Sequence, residues 1–156
     1  MKLSWNSLKI SIAGAKLSHL VQKDKIWDHG SMTEQAKNIF YQVEKAKNKG
    51  ETGGLKKYMS TNGFEKLKAA IDAFEKPGAF FKNSVLTEIS IVQVQSGKKK
   101  KPDSFKALIK GKRKSFAGLI PDEIGNYGIE NFSEEWLFVR QGEWWLLDGI
   151  KSKHHT

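Results

Sequence analysis

Histidines and strand carboxylates are the residues of this chain that could move protons or bind a metal. The histidines are His19, His29, His154 and His155, and none falls in a segment predicted as a strand. Adjacent side chains do not share a helix or strand face, so the terminal pair predicts a frayed tail. The chain has no Cys, which excludes disulfides, thiolate zinc sites and cysteine nucleophiles. We therefore expect no metal and no cofactor.

Two acids, Glu88 and Asp148, lie within predicted strands and away from turns. An acid inside a pocket could act in general acid–base catalysis because burial tunes its pKa. Unpaired acids are rarely buried, so we expect both side chains to face solvent and predict no catalytic residue. Gly53 and Gly54 lack the Lys-Ser or Lys-Thr that follows the glycines of a phosphate loop. The sequence favours a binding protein over an enzyme.

Positive charge is concentrated in one region of a chain whose net charge is +10. Residues 98–114 contain nine bases and one acid, whereas residues 122–148 contain seven acids and one base. The basic region could attract an anionic membrane surface, an acidic protein or phosphate groups. Alternatively, its side chains face solvent and pair across strands with Glu134 and Glu135, which is the commoner role of a charge run. The candidate contact residues are Lys98, Lys99, Lys100, Lys101, Lys110, Lys112, Arg113 and Lys114.

Helices come first and strands afterwards among the elements that would position these residues. Residues 31–48 have apolar side chains at helical spacing and a capping box of Ser31 and Glu34. A second helix starts at Ser60 and ends at Pro77-Gly78. Two-residue alternation then predicts strands at 85–95, 104–112, 134–140 and 144–150, the last two joined by a tight hairpin. This order predicts an α+β domain and excludes a parallel nucleotide-binding sheet.

The first thirty residues predict a basic amphipathic helix. No acid precedes Asp24, and the apolar stripe consists of Leu3, Ile10, Leu17 and Val21. The helix could lie on a membrane, pair with a second copy, or pack across the sheet, which is the usual role of such a stripe. A mitochondrial transit peptide is disfavoured because the segment has no Arg. We divide the chain into a basic segment at 1–30, an α+β domain at 31–151 and a tail at 152–156.

The last hairpin carries a recognisable pattern. Its first strand reads Trp-x-Phe-x-Arg from Trp136, and its second reads Trp-x-Leu-x-x-Ile from Trp145. With Tyr58-Met59-Ser60 and the run from Phe64 to Leu67, the pattern resembles the C-terminal domain of the forty-four-kilodalton subunit of the mitochondrial inner-membrane translocase and its bacterial relatives. The resemblance covers roughly residues 32–150.

This resemblance implies a cone-shaped fold of the nuclear-transport-factor-two, or cystatin-like, type, with helices packed on a curved four-stranded antiparallel sheet. Family members tether import-motor components or ribosomes at the inner membrane and are not known as enzymes. We therefore expect a non-catalytic tethering domain in the bacterial cytoplasm or at the periphery of the cytoplasmic membrane; the mitochondrial matrix is the less favoured location.

The expected partners are an anionic membrane surface or an acidic protein, and a ribosome contact or a homodimer is compatible with the pattern. The tetra-lysine turn is not a motif that reads an RNA sequence. An alternative function is a pocket that holds a small apolar ligand, with or without weak acid–base activity. The residues that would line it are Phe40, Tyr41, Trp136, Phe138 and Trp145, unless these aromatics simply form the core.

Overall fold

A computed structural model describes residues 4–72, 82–97, 100–114 and 129–152. Within these ranges the elements are α1 (Trp5–Leu20), α2 (His29–Lys49), α3 (Thr61–Asp72), β1 (Lys82–Gln95), β2 (Ser104–Lys114), β3 (Ile129–Gln141) and β4 (Trp144–Ser152), with short 3₁₀ helices at Lys25–Trp27 and Gly53–Tyr58. The strands form one antiparallel sheet in the order β1-β2-β3-β4. The predicted α+β fold, with helices packed on a four-stranded antiparallel sheet, is confirmed.

Helix α2 begins three residues earlier than its predicted capping box. The carboxylate of Asp28 accepts a hydrogen bond from the Ser31 amide at 2.8 Å. Asp28, and not Ser31, is therefore the N-cap, and the predicted box of Ser31 and Glu34 is wrong. The helix ends at Gly50, whose φ of 70° lies in the left-handed region that glycine adopts without strain.

Ser60 caps α3, as predicted, and also joins that helix to the sheet. Its hydroxyl oxygen accepts from the Gly63 amide at 3.0 Å, and its hydroxyl donates to Asp148 at 2.5 Å. The Ser60 amide donates to the carbonyl oxygen of Leu147 at 3.0 Å. Asp148 is half-buried and accepts a hydrogen bond from the N-cap residue of α3. The prediction that it faces solvent is therefore corrected. The predicted helix end at Pro77-Gly78 lies outside the described residues.

Irregularities in β1 bring apolar side chains onto its core face. The pairing with β2 shifts at three places along the strand, the last of them between Ile91 and Gln93. This last shift lets Val94, an odd number of residues after Ile91, lie on the same core face. Bulges bend a strand and increase its twist, so β1 follows the helices that pack on it.

Strand β3 begins well before its predicted start at residue 134. It already pairs with β2 at Ile129, and Phe132 is buried in the core. The polar neighbours Glu130 and Asn131 interrupt the apolar pattern, so the alternation contained no strand signal before residue 134. The long β3 brings Phe132 against α2, where its ring stacks 6.1 Å from that of Phe40.

Helix α1 packs against β1 and contributes to the same core. Ala13 and Leu17 are buried in the main apolar cluster. The rest of the predicted apolar stripe is less buried: Val21 is half-buried, Ile10 is exposed, and Leu3 lies outside the described residues. The helix therefore has apolar side chains on more than one face.

Candidate binding surfaces

Four of the five aromatic residues predicted to line a pocket form a packed core instead. Phe40, Trp136 and Phe138 are completely buried, and Trp145 is 1% exposed. The rings of Phe40 and Trp136 lie 5.6 Å apart, and the ring of Trp145 packs edge-on at 4.8 Å against Phe105. Large aromatic side chains in contact fill the space between helices and sheet. The described residues therefore hold no ligand pocket lined by this set.

Tyr41, the fifth of these residues, does not point into the core. Its side chain is 44% exposed on α2, next to the buried Phe40, whose ring it meets edge-on at 5.3 Å. Adjacent residues of a helix point in directions about 100° apart, so both could not line the same interior. The prediction for Tyr41 is wrong for this reason.

Glu134 is an inward-facing carboxylate, which corrects the expectation that it pairs with solvent-facing basic side chains. The residue is buried, and one carboxylate oxygen accepts a hydrogen bond from the indole nitrogen of Trp136 at 3.2 Å. The other lies 3.9 Å from the guanidinium of Arg113, which in turn covers the ring of Phe132. This carboxylate is therefore held by an indole and a base within the core.

The predicted basic patch is not one surface. Arg113 faces the core, whereas Lys110 and Lys112 lie on the outer face of the sheet, because successive strand residues point to opposite faces. Lys110 pairs with Glu88 at 3.6 Å, and the neighbouring Lys106 pairs with Glu135 at 3.5 Å. The predicted pairing with Glu135 is found, whereas Glu134 is buried and meets Arg113 instead of a solvent-facing lysine. Lys100 and Lys101 are exposed in the β1–β2 turn; Lys98 and Lys99, and the side chain of Lys114, lie outside the described residues.

No metal site or membrane span is found in the described part of the chain. No group of three or more metal-ligand side chains occurs there. His19 and His29 are exposed on helices, and His154 and His155 lie outside the described ranges. None of the described helices is long and apolar enough to cross a bilayer.

The N-terminal half of α1 exposes large apolar side chains. Trp5, Leu8 and Ile12 are 68%, 41% and 51% exposed, and their spacing of three and four residues puts them on one side of the helix. The ammonium of Lys9 lies 5.6 Å from the centre of the Trp5 ring. We call Trp5, Leu8 and Ile12 the α1 stripe. The sequence analysis missed it because it chose a stripe centred on the buried Leu17.

The C-terminal half of α1 borders an open groove of about 1130 Å³ at one end of the sheet. Its other wall comes from the ends of β1, β2 and β3 and from the β1–β2 turn. The basic side chains at this groove are Lys16, His19, Lys101 and Lys106, and its partly exposed apolar ones include Leu20 and Leu137. We call it the α1 groove.

Comparisons with known proteins support the fold alone. No protein-family model and no curated protein matches the chain. Among solved structures, the intermembrane space region of the chloroplast protein ARC6 is similar, with a TM-score of 0.50 and 10% sequence identity over 76% of this chain and 94% of that one. The resemblance to the translocase subunit stays a prediction.

A smaller cleft of about 330 Å³ lies between α2 and the last hairpin. Its walls include Asn38, Tyr58 and the exposed Trp144. Of the predicted pocket residues, Trp145 reaches this cleft, but 99% of its surface is covered by the core and its indole nitrogen donates to the Ile26 carbonyl. The cleft therefore differs from the predicted interior pocket.

Proposed function

We propose that this chain is a non-catalytic domain that binds the surface of an anionic membrane through α1 and acts there as a peripheral tether. The observation that carries the proposal is the α1 stripe, which places Trp5, Leu8 and Ile12 in solvent on one side of a helix. Side chains of this kind bury themselves at the boundary between lipid headgroups and acyl chains.

The charge of α1 matches an anionic surface. The first half of the helix, which carries the stripe, contains Lys9, and the whole helix contains no acid; a lysine near an anionic leaflet contributes roughly 1 kcal/mol to binding. Apolar insertion and lysine attraction together are the two contributions on which interfacial helices depend. A neutral bilayer would supply only the first.

A second copy of the chain is a less suitable partner for the stripe. Two α1 helices in contact would bring Lys9 and Lys16 close to their counterparts with no acid from either helix between them. Like charges brought together without a counter-charge repel each other. The lysines therefore favour an anionic lipid surface over a homodimer through this face.

The stripe is held in place before any membrane is met. Ala13 and Leu17 fix α1 to the apolar core, so the helix need not order itself on binding. Preorganised groups avoid part of the entropic cost of association. The stripe can therefore act as a rigid contact, as a tether requires.

The packing of the domain interior supports a binding role without catalysis. The one buried acid among the described residues, Glu134, is occupied by Trp136 and Arg113, and the surrounding aromatic residues pack without a ligand pocket. The resemblance to the translocase subunit, whose family tethers components at a membrane, adds support for a role related to protein translocation.

Liposome co-sedimentation tests the proposal. We expect binding to vesicles that contain phosphatidylglycerol, weaker binding to phosphatidylcholine alone, and release as salt screens the lysines. Replacing Trp5, Leu8 and Ile12 by Ser should abolish binding. The matched control replaces three exposed apolar residues elsewhere, Tyr41, Val85 and Trp144, by Ser, and should bind normally. Equal loss in both triple variants would contradict the assignment to α1.

A further inference from the structure

We infer that the α1 groove is the docking site for an acidic peptide segment of a protein partner. The groove is a second contact surface, separate from the α1 stripe, and the inference stands without the membrane proposal. Its volume of about 1130 Å³ exceeds the roughly 300–1,000 Å³ of small-molecule sites. It is also open to solvent, as expected of a site for a chain segment.

The charge of the groove selects an acidic occupant. Lys16 on α1 and Lys101 in the β1–β2 turn border it from opposite sides, and both side chains are exposed. In the described part of the chain, neither lysine has an ion-pair partner, and no acidic residue lines the groove. Lys106 contributes less because Glu135 lies 3.5 Å from it. The site therefore has cations without matching anions, and complementary charge favours acidic partners.

The groove also offers apolar surface and polar side chains for a peptide. Leu20, Leu137 and Val139 are half-buried at its floor, so each keeps apolar area that an incoming side chain can cover. Gln93 and Gln95 are exposed at the edge and can hydrogen-bond to a peptide backbone. An acidic segment with interspersed apolar residues satisfies all three features.

Other occupants fit less well. A single strand of nucleic acid binds best where bases stack on exposed aromatic faces, but no Trp or Tyr among the described residues lines the groove, and its Phe105 is 1% exposed. A bilayer contacts side chains that extend from a surface, as those of the α1 stripe do, more readily than the floor of a groove. Peptide segments commonly occupy grooves of this kind.

The two halves of α1 carry two different contact surfaces, so one helix could link a membrane to a protein partner. The stripe uses Trp5, Leu8 and Ile12, in the first half of α1, whereas the groove uses Lys16 and His19, in the second half. A membrane on the first half leaves the second half available to a soluble or membrane-bound protein. The two contacts can therefore be tested separately.

Selection from a random library of short linear peptides, displayed against the full chain, tests this inference. We expect the enriched peptides to be acidic and to contain several apolar residues. Binding of a labelled enriched peptide, followed by fluorescence anisotropy, should weaken by about tenfold or more in Lys16→Glu/Lys101→Glu. The control Lys37→Glu/Lys45→Glu makes the same charge change at exposed positions of α2 and should leave the affinity unchanged. Thermal melting establishes that both variants fold.

Three results would overturn the inference: no enrichment, enrichment of neutral or basic peptides, or equal binding by the Lys16/Lys101 variant and its control. Displacement of the bound peptide by phosphatidylglycerol vesicles from the chain with Ser at positions 5, 8 and 12 would instead assign the groove to lipid. Loss of vesicle binding in that triple variant with intact peptide binding supports two separate sites. Failure of vesicle binding in the wild type affects the membrane proposal only.

Discussion

The guanidinium of Arg140 lies 2.7 Å from the carboxylate of Asp24, across 116 residues of sequence. The same Arg140 nitrogen donates to Asp103 at 3.1 Å, and its Nε donates to the Gly142 carbonyl. One side chain thus joins the segment after α1, the β1–β2 turn and the last hairpin. The hydrogen bond from Arg140, assisted by the Ile26 amide, lowers the pKa of Asp24 below its ordinary value of 3.8.

Acid should weaken the contribution of this pair to stability. Because the pKa of Asp24 is lower in the folded state than in the unfolded chain, its stabilising effect is complete above about pH 5 and is lost as the pH falls through the folded-state pKa. The difference in unfolding free energy between the wild type and Asp24→Asn should therefore shrink below pH 3.8. Urea denaturation at several pH values measures it. A difference that stays constant into acid would exclude the linkage.

The fold was largely predictable because its strands alternate apolar and polar residues. Trp136 and Phe138 face the core while Glu135 and Leu137 face outward, and such alternation is readable from sequence. The start of β3 could not be predicted in this way, because Glu130 and Asn131 interrupt the alternation. The N-cap of α2 was missed because Asp28 and Ser31 are both good caps, and their order along the chain does not decide between them.

The binding surfaces were less predictable than the fold. A run of basic residues does not show which face of the sheet each side chain lies on. Arg113 and Lys112 were therefore predicted to share one basic patch, although they lie on opposite faces of the sheet. The α1 groove depends on how α1 docks against β1, because Lys16 and Lys101 come to line the same groove only through that packing. The α1 stripe likewise depends on the orientation of α1: Leu17 faces the core, which leaves Trp5, Leu8 and Ile12 exposed.

Truncating Trp136 should cost much more unfolding free energy than truncating Trp144. Trp136 is completely buried, so Trp136→Ala should lower the unfolding free energy by about 3–5 kcal/mol. Trp144 is 66% exposed, and Trp144→Ala should change it by no more than about 0.5 kcal/mol. Urea denaturation of both variants provides the test. Similar losses in the two would mean that the register of the hairpin is wrong.

Replacing a helical glycine by Ala should destabilise the protein at Gly63 and stabilise it at Gly14. A Cβ at Gly63 would lie 2.7 Å from the carbonyl oxygen of Leu147, so Gly63→Ala should destabilise by about 1–3 kcal/mol despite its better helix propensity. Gly14 has open space around its Cβ position, and Gly14→Ala should stabilise α1 by about 0.5–1 kcal/mol. Thermal unfolding distinguishes the two. A stabilising Gly63→Ala would show that α3 does not approach β4 as closely as described.

Fluorescence of Trp5 tests the membrane contact most directly. Of the five Trp residues, Trp5 and Trp144 are exposed, whereas Trp27, Trp136 and Trp145 are buried. In Trp144→Phe, Trp5 is therefore the tryptophan that an aqueous quencher such as iodide can reach. We predict that vesicles containing phosphatidylglycerol protect it from quenching and that phosphatidylcholine vesicles protect it much less. Full quenching of Trp5 in the presence of anionic vesicles, at low salt, would contradict membrane binding through α1.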